Sequence, residues 1–327
     1  MALRLSGLIL ALYALGGALC YVVAPDATEN ANVQMPVFAR KPPGFVSTCV
    51  VVAEGEKTGS WLTGYRDGAR YHPALPGTFS LRGDTAVFLD PDGFVQKIVG
   101  GRSLERTHWL GTDLLGRDML SRLLIGCRAS VGVGLAAALA SLILGLAVGA
   151  TAGFWPGKWD AAATWLMTVV WAAPSFLWAV AAAFVMEKGF WATTLAVAFS
   201  IWVEPARVLR GEMRSARERL YVEAARAYGV GAFARWRRHA LPPSYGLILI
   251  LAAANFSTAV LLEAGLSFLG LGSPPPTPTW GAMVFEGYPY LPLNTGRHLA
   301  LAPGAAISGL CVCGYVFTEQ LRRRWTR

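Results

Sequence analysis

The residue types that most often carry chemistry are few in this sequence and poorly spaced for it. Four histidines (72, 108, 239, 298) and five cysteines (20, 49, 127, 311, 313) are scattered without the spacing of a metal site, and no metal is expected. Cys311 and Cys313 stand two positions apart in an apolar run, where they would face different sides of a helix, so a packing role is expected of them. Cys49 and Cys127 could form a disulfide, which nothing in the sequence decides. No Ser, His and Asp set and no carboxylate pair stands at catalytic spacing, so no catalytic residue is assigned. Ala152-Gly153-Phe154-Trp155-Pro156-Gly157-Lys158 imitates the start of a phosphate-binding loop, but Trp159 replaces the Ser or Thr whose hydroxyl must reach Mg²⁺. The stretch reads as a short turn between membrane helices, and any ATP hydrolysis must then come from another chain.

Three other features carry more information. Glu263 is an ionisable residue in an apolar run, which makes it a functional candidate by default; it also lies three residues from the run's predicted end, where an interfacial structural contact serves equally well. Pro174 interrupts the apolar run from Ala161 to Met186 and predicts a kink that could line a pathway, and Pro303 predicts another. Most informative is Tyr221-Val222-Glu223-Ala224-Ala225-Arg226-Ala227-Tyr228-Gly229, followed after nine residues by His239-Ala240-Leu241-Pro242. Good helix formers predict a helix from Arg217 to Tyr228, Gly229 permits the positive φ of a break, and a second short helix should end at Pro242. Two short helices hinged at a glycine make a knob. Ala224 and Ala225 would leave one face narrow enough for a groove, with Glu223 and the arginines at its edge.

The elements that position these residues follow from composition. Of 327 residues, 54% are hydrophobic and only 15% charged, more apolar surface than one soluble core hides, so the chain reads as a membrane protein. The net charge of +9 is gathered in arginine blocks between apolar runs, a membrane-protein layout that argues against nucleic acid. Six runs approach the ~20 residues that cross a bilayer: Leu5 to Ala24, Ala129 to Phe154, Ala161 to Met186, Phe190 to Val203, Tyr245 to Leu266 and Leu299 to Phe317. The first could instead be a cleaved signal peptide, although its apolar stretch exceeds a usual signal core. Ala and Gly at close spacing in the second would let helices approach one another.

Residues 204–242 carry nine arginines against four glutamates, and the tail adds Arg322, Arg323, Arg324 and Arg327. Positive flanks stay inside, so both blocks should be cytoplasmic, both termini inside, and residues 25–128 outside. Arg102, Arg106, Arg117, Arg122 and Arg128 run against this orientation, partly offset by Glu105, Asp113 and Asp118; long segments translocate with little regard to charge. The resulting organisation is a first membrane helix at 1–24, an extracytoplasmic insert at 25–100, an amphipathic approach segment at 101–128, and a core at 129–327 holding the cytoplasmic loop 204–242. The insert alternates β-prone runs (Cys49 to Val52, Thr85 to Leu89) with turn signals at Arg82-Gly83-Asp84 and Asp90-Pro91-Asp92-Gly93, and should be β-rich. It reads as a packing or docking elaboration, with ligand or partner binding the alternative.

The Glu-Ala-Ala triplet at 223–225, Gly229 four residues later, and Leu241-Pro242 together resemble the cytoplasmic coupling loop of the membrane subunits of binding-protein-dependent ABC importers. Further segments resemble one branch, the C-type subunit of the dipeptide, oligopeptide and nickel permeases. These are Leu110 to Asp118 with Ser121 to Leu124, Ala173-Pro174-Ser175, Glu263 to Gly272, and Pro274 to Gly281. The resemblance covers about 100–320, leaves out 25–99, and fails at Thr318 to Arg322. It implies an all-α integral membrane fold of about six transmembrane helices, of the type I ABC importer kind, in the bacterial inner membrane. Its implied partners are a homologous second permease subunit, two nucleotide-binding ATPase subunits holding ATP and Mg, an extracytoplasmic substrate-binding protein, and lipid. This chain would bind no cofactor. Glu223, Ala224, Ala225, Gly229, Leu241 and Pro242 would couple to the ATPases, and the cargo would be peptide, with nickel or another small solute as alternatives. A stand-alone secondary transporter would instead work without ATPase partners, and a membrane-anchored receptor would bind a ligand through 25–99.

Overall fold

A computed structural model describes residues 2–53, 55, 58–66, 68–74, 79–82, 85–89, 95–99 and 102–325. The turns expected at Gly83-Asp84 and at Asp90 to Gly93 lie outside these residues. The chain forms two compact units, one made of 1–12, 130–274 and 307–327, the other of 13–129 and 275–306.

The second of these units opens in helix α1 (Ala2–Ala18), which breaks at Leu19 before a single turn, α2 (Cys20–Val23). Among the described residues eight short strands follow: β1 (Phe45–Ala53), β2 (Thr58–Ser60), β3 (Gly64–Arg66), β4 (Ala69–Pro73), β5 (Phe79–Arg82), β6 (Thr85–Leu89), β7 (Val95–Val99) and β8 (Arg102–His108). β1 is rich in β-branched residues and takes the centre of an antiparallel sheet ordered β4-β1-β8, with Cys49 opposite both Pro73 and Leu104. β2 pairs with β3, and β5, β6 and β7 form a third antiparallel set. Met35, Phe38 and Cys49 make one small core, and Cys20, Tyr21, Ala31 and Ile125 another. Cys49 and Cys127 are free thiols, their Sγ atoms directed to the carbonyls of Leu104 and Tyr13.

The helical unit is built mostly from apolar helices. α3 (Met119–Gly145) passes through a π turn at Leu146–Ala150 into α4 (Thr151–Phe154). α5 (Lys158–Trp171) and α6 (Ser175–Val185) follow, then α7 (Phe190–Ile201), α8 (Val203–Arg217), α9 (Leu220–Ala227), α10 (Ala232–Arg235) and α11 (Tyr245–Phe268). α12 (Trp280–Gly287) belongs to the strand-bearing unit, and α13 (Arg297–Trp325) ends the chain with Pro303 inside it. Small side chains dominate the helical core: Ala137, Ala179, Ala196, Ala198 and Ala259 pack with Val197 and Leu266. Gly134 comes so close to α11 that a Cβ there would lie 2.4 Å from Val260 Cγ2. Such close approach is how membrane helices associate when lipid offers apolar side chains no gain from clustering.

Among the described residues three stretches are long and apolar enough to cross a membrane: Met119–Phe154, Ala232–Phe268 and Arg297–Arg324. The run expected at 161–186 is two helices, α5 and α6, meeting at 90° around Pro174 rather than one kinked helix. The run at 190–203 continues into α8 through a 43° bend, so counting each bent pair as one span raises the number to five. The first helix, Leu3–Ala18 in its apolar part, falls short of this length.

Candidate functional site

Residues 204–242, expected as a loop, begin as a packed helix. Along α8 the residues Val203, Ala206, Leu209, Met213 and Ala216 recur at helical spacing and are buried, while Arg207, Arg214 and Arg217 take the other faces. The buried face lies on the end of the α3–α4 stretch, and three glycines spaced by four make the contact possible. A Cβ on Gly149 would lie 2.0 Å from the Ala206 carbonyl oxygen, one on Gly153 would lie 2.2 Å from that of Arg210, and one on Gly145 would lie 3.0 Å from the Ala206 nitrogen. Arg210 also grips Asp160 of α5 with both Nε and Nη2, at 2.5 and 3.0 Å. Gly153 of the phosphate-loop imitation is therefore a helix-packing residue, and Gly157, at φ +127°, turns the chain into α5.

After α8 the helix stops at Glu218 and Arg219, so the expected helix from Arg217 to Tyr228 is shorter, Leu220–Ala227. Gly229 has the positive φ, +80°, that its position calls for. Its N–H bonds the Arg226 carbonyl at 3.0 Å, and the Val230 N–H bonds that of Ala225 at 3.0 Å, which closes α9 in a Schellman turn. Nothing stands within 4 Å of a Cβ built on Gly229, so backbone conformation alone selects glycine there.

Two of the expected coupling residues face inward. Ala225 is buried on the same face as Val222, and Leu241 joins Val222, Met213, Ala216 and Phe154 in the core beneath the knob. The helical period puts 222 and 225 on one stripe, which leaves Glu223 and Ala224 outside. The outer face is apolar at both ends: Leu220 is 83% exposed and Tyr228 89%. Pro242 does not terminate the second short helix. α10 runs through a π turn at Trp236–Ala240, and Pro242 starts a single 3₁₀ turn, Pro242–Ser244, that leads into α11. Proline fits there because its fixed φ is helical and a first-turn N–H has no partner to lose. Trp236 packs between Trp155 and Phe233, with ring centroids 5.6 and 5.7 Å away. A cleft of about 440 Å³ opens beside the knob, lined by Arg217, Arg226 and Arg235 with Glu218 and Glu223.

Glu263 is enclosed in the helical core, 1% exposed. The Ser267 hydroxyl, one turn on, donates to its Oε1 at 2.7 Å, and Ser130 of α3 also bonds its carboxyl. Its Oε2 is buried without a hydrogen-bond partner among the described residues. Pro174 caps the start of α6 at the 90° break, and the Trp178 indole N–H bonds the Val170 carbonyl across the break at 2.8 Å.

The strand-bearing unit holds a constellation that sequence spacing did not reveal. Ser47 Oγ lies 2.9 Å from His108 Nε2, and His108 Nδ1 lies 2.8 Å from Asp118 Oδ1, so a Ser, His and Asp chain does exist. Asp118 Oδ2 in turn accepts from the N–H and hydroxyl of Ser121, at 2.8 and 2.6 Å. All three members are 1% exposed, so no substrate reaches the serine and the chain works as a buried knot. Burial raises the Asp118 pKa, but the bonds from His108 and Ser121 outweigh it and hold the carboxyl below the usual carboxylate range. The pairing of β1 with β8 sets Ser47 opposite Arg106, two residues from His108, and only that register brings serine and histidine together. Beside the knot, Arg122 bridges Asp113 and Glu286 at 2.5 and 2.8 Å, and Arg117 holds Asp113 at 2.6 Å.

Comparison with known proteins agrees with the helical architecture. The oligopeptide transport system permease protein OppC of Bacillus subtilis is 35% identical over 186 residues, which is 57% of this chain and 61% of that protein. The glutathione transport system permease protein GsiD of Pectobacterium atrosepticum is 35% identical over 200 residues, 61% of this chain and 66% of that protein. This chain thus spans less than two thirds of the length of either relative. Residues 133–327, from α3 through the knob to the C-terminus, match the family described as the binding-protein-dependent transport system inner membrane component, and the chain belongs to that family.

Proposed function

We propose that this chain is the permease subunit of an ATP-driven importer, forming half of the translocation pathway for peptides or similar small solutes. It takes its work from separate ATPase subunits through the knob around Glu223 to Gly229. The observation that carries this reading is the knob itself: a short helix closed by Gly229, with Leu220 and Tyr228 almost fully exposed and charged residues beside them. Exposed apolar residues rimmed by charge are what a partner's groove covers. Glu223, Ala224 and Gly229 form the contact, while Ala225, Leu241 and Pro242 hold the knob against the core. Family membership supports dependence on an external binding protein, and the relatives' names, oligopeptide and glutathione permeases, support peptide cargo over the alternatives of nickel or another small solute.

In this reading the assembly contains a homologous second permease, two ATPase subunits holding ATP and Mg, and an extracytoplasmic binding protein. The first helix completes six spans by tilting little or thinning the bilayer, both termini are cytoplasmic, and residues 25–100 form an extracytoplasmic insert. Arginines on α8 and the knob support that orientation. The test is affinity purification of the solubilised chain from its native membrane. ATPase subunits should co-purify, and should be lost from a variant carrying Glu223→Ala and Gly229→Val. Retention of the ATPases by that variant, or ATP hydrolysis by this chain alone, overturns the proposal. Uptake of a labelled tripeptide, set against nickel, decides the cargo.

A further inference from the structure

The 90° break between α5 and α6 leaves a cleft of about 370 Å³ in the helical unit. Trp171, Pro174 and Ser175 line it at the break, with Ser200 from the end of α7, Glu204 from the start of α8 and Thr258 from α11. A broken helix at membrane depth frees backbone carbonyls and N–H groups, which is tolerable only where protein buries them or water reaches them. Trp178 takes one such carbonyl, that of Val170, and the open cleft admits water at the break. In transporters, discontinuous helices of this kind surround the solute.

The charge lining the cleft, Glu204, and the arginine one turn on, Arg207, are unusual in being unspent. Glu204 and Arg207 are three residues apart on α8, a spacing at which opposite charges normally pair. Here the Arg207 guanidinium lies over the Trp171 ring, 4.1 Å from its centroid. Stacking satisfies the face of the guanidinium and leaves its edge donors available. Among the described residues Glu204 makes neither an ion pair nor a hydrogen bond. An unpaired carboxylate facing lipid is costly, so this face of α8 belongs to water or to a cation. Glu204 lines the cleft as its negative partner, Arg207 reaches its edge by stacking on the lining ring of Trp171 as a positive one, and Ser175, Ser200 and Thr258 add neutral hydroxyls to the lining.

We propose that this cleft is a station for a zwitterionic solute on its way through the membrane, with Glu204 taking its ammonium group and Arg207 its carboxylate. The inference rests on the chain being a permease, and deepens that reading by placing a solute-binding site in the membrane part. It is tested with Thr258→Cys, and in parallel Ser175→Cys, in the full importer in membrane vesicles, against the parent's own cysteines as background. The introduced thiol should react with a cationic thiol reagent about tenfold faster than with an anionic one of similar size, and Glu204→Gln should bring the two rates together. Millimolar dialanine should slow the labelling, N-acetyl-dialanine amide should not, and Glu204→Gln should abolish the protection while Glu204→Asp keeps it. Thiols closed to both reagents, equal rates before the Glu204 change, or equal protection by both dipeptides would overturn the site. Loss of ATPase co-purification is a separate readout, so failure of the site and failure of the importer reading are distinguished.

Discussion

Replacing Gly149 by alanine tests whether α8 is fixed to the end of the α3–α4 stretch. The added carbon would stand 2.0 Å from the Ala206 carbonyl oxygen and 2.6 Å from its carbon, against the 3.4 Å at which ordinary contact begins. The obstacle is backbone on a buried face, so no side chain can swing away. The helices must separate by about 1.4 Å, the difference between those distances. Opening a packed seam by this amount costs on the order of 1–3 kcal/mol, as for other overpacked cores. Gly211, also on α8, is the matched control, because nothing stands within 4 Å of a Cβ built there. Gly211→Ala should stabilise the protein by about 0.4–1 kcal/mol through the unfolded chain alone. Membrane proteins commonly inactivate irreversibly, so the assay is the half-life of folded, detergent-solubilised chain at a fixed elevated temperature, followed by tryptophan fluorescence. Each kcal/mol is about a factor of five: Gly149→Ala should shorten the half-life at least fivefold, while Gly211→Ala leaves it equal or longer. Equal half-lives for the two variants would refute the close-packed seam.

Gly229→Val should cost the chain only about 1–2 kcal/mol of local backbone strain, since its Cβ meets nothing, yet it should abolish ATPase co-purification; normal abundance with intact co-purification would contradict the knob's role. The folded Asp118 pKa is depressed, so its contribution is complete above about pH 4, the unfolded value, and is lost as pH falls through the folded one. Amide exchange in β1 and β8, corrected for intrinsic rates, should therefore stay constant from pH 7 to about 5 and accelerate below about 4; protection unchanged at pH 3 would argue against the linkage. A fluorophosphonate probe should leave Ser47 unlabelled in the folded protein, because Ser47, His108 and Asp118 are closed to solvent, and labelling would instead reveal a reactive serine. Arg122→Met should destabilise the strand-bearing unit by about 1–3 kcal/mol, since Asp113 and Glu286 lose a shared buried partner but keep Arg117, with proteolysis of that unit as the readout.

Local signals survived into the structure where one residue dictates its own backbone. Gly229 does take positive φ, and Pro174 does break its run, although the sequence holds no measure of the 90° angle that packing imposes. α8 was hidden for a different reason. Its arginines at 207, 210, 214 and 217 drew attention to charge, while the buried period of Val203, Ala206, Leu209, Met213 and Ala216 ran through the same residues. Reading that period would have exposed the helix. The inward turn of Ala225 was legible in the same way, from its spacing to Val222. The bond from Ser267 to Glu263 follows from a separation of four, whereas the approach of Ser130 depends on how α3 meets α11. The Ser47–His108 contact spans 61 residues and exists only through strand register, which no local pattern encodes.

Only Glu218 and Arg219 separate the end of α8 from the start of α9. Fully extended, two residues reach no more than about 7 Å, and both are already held by bonds back to Ser215 and Ala216. Little slack is left to absorb a displacement of the shorter helix. A stroke delivered there by the proposed ATPase partners would arrive as torque on a fifteen-residue shaft whose flank is keyed into three glycine notches. In the proposed importer such a linkage would behave as a crank, and stiffness at the keyed flank would set how much of each stroke travels into the membrane.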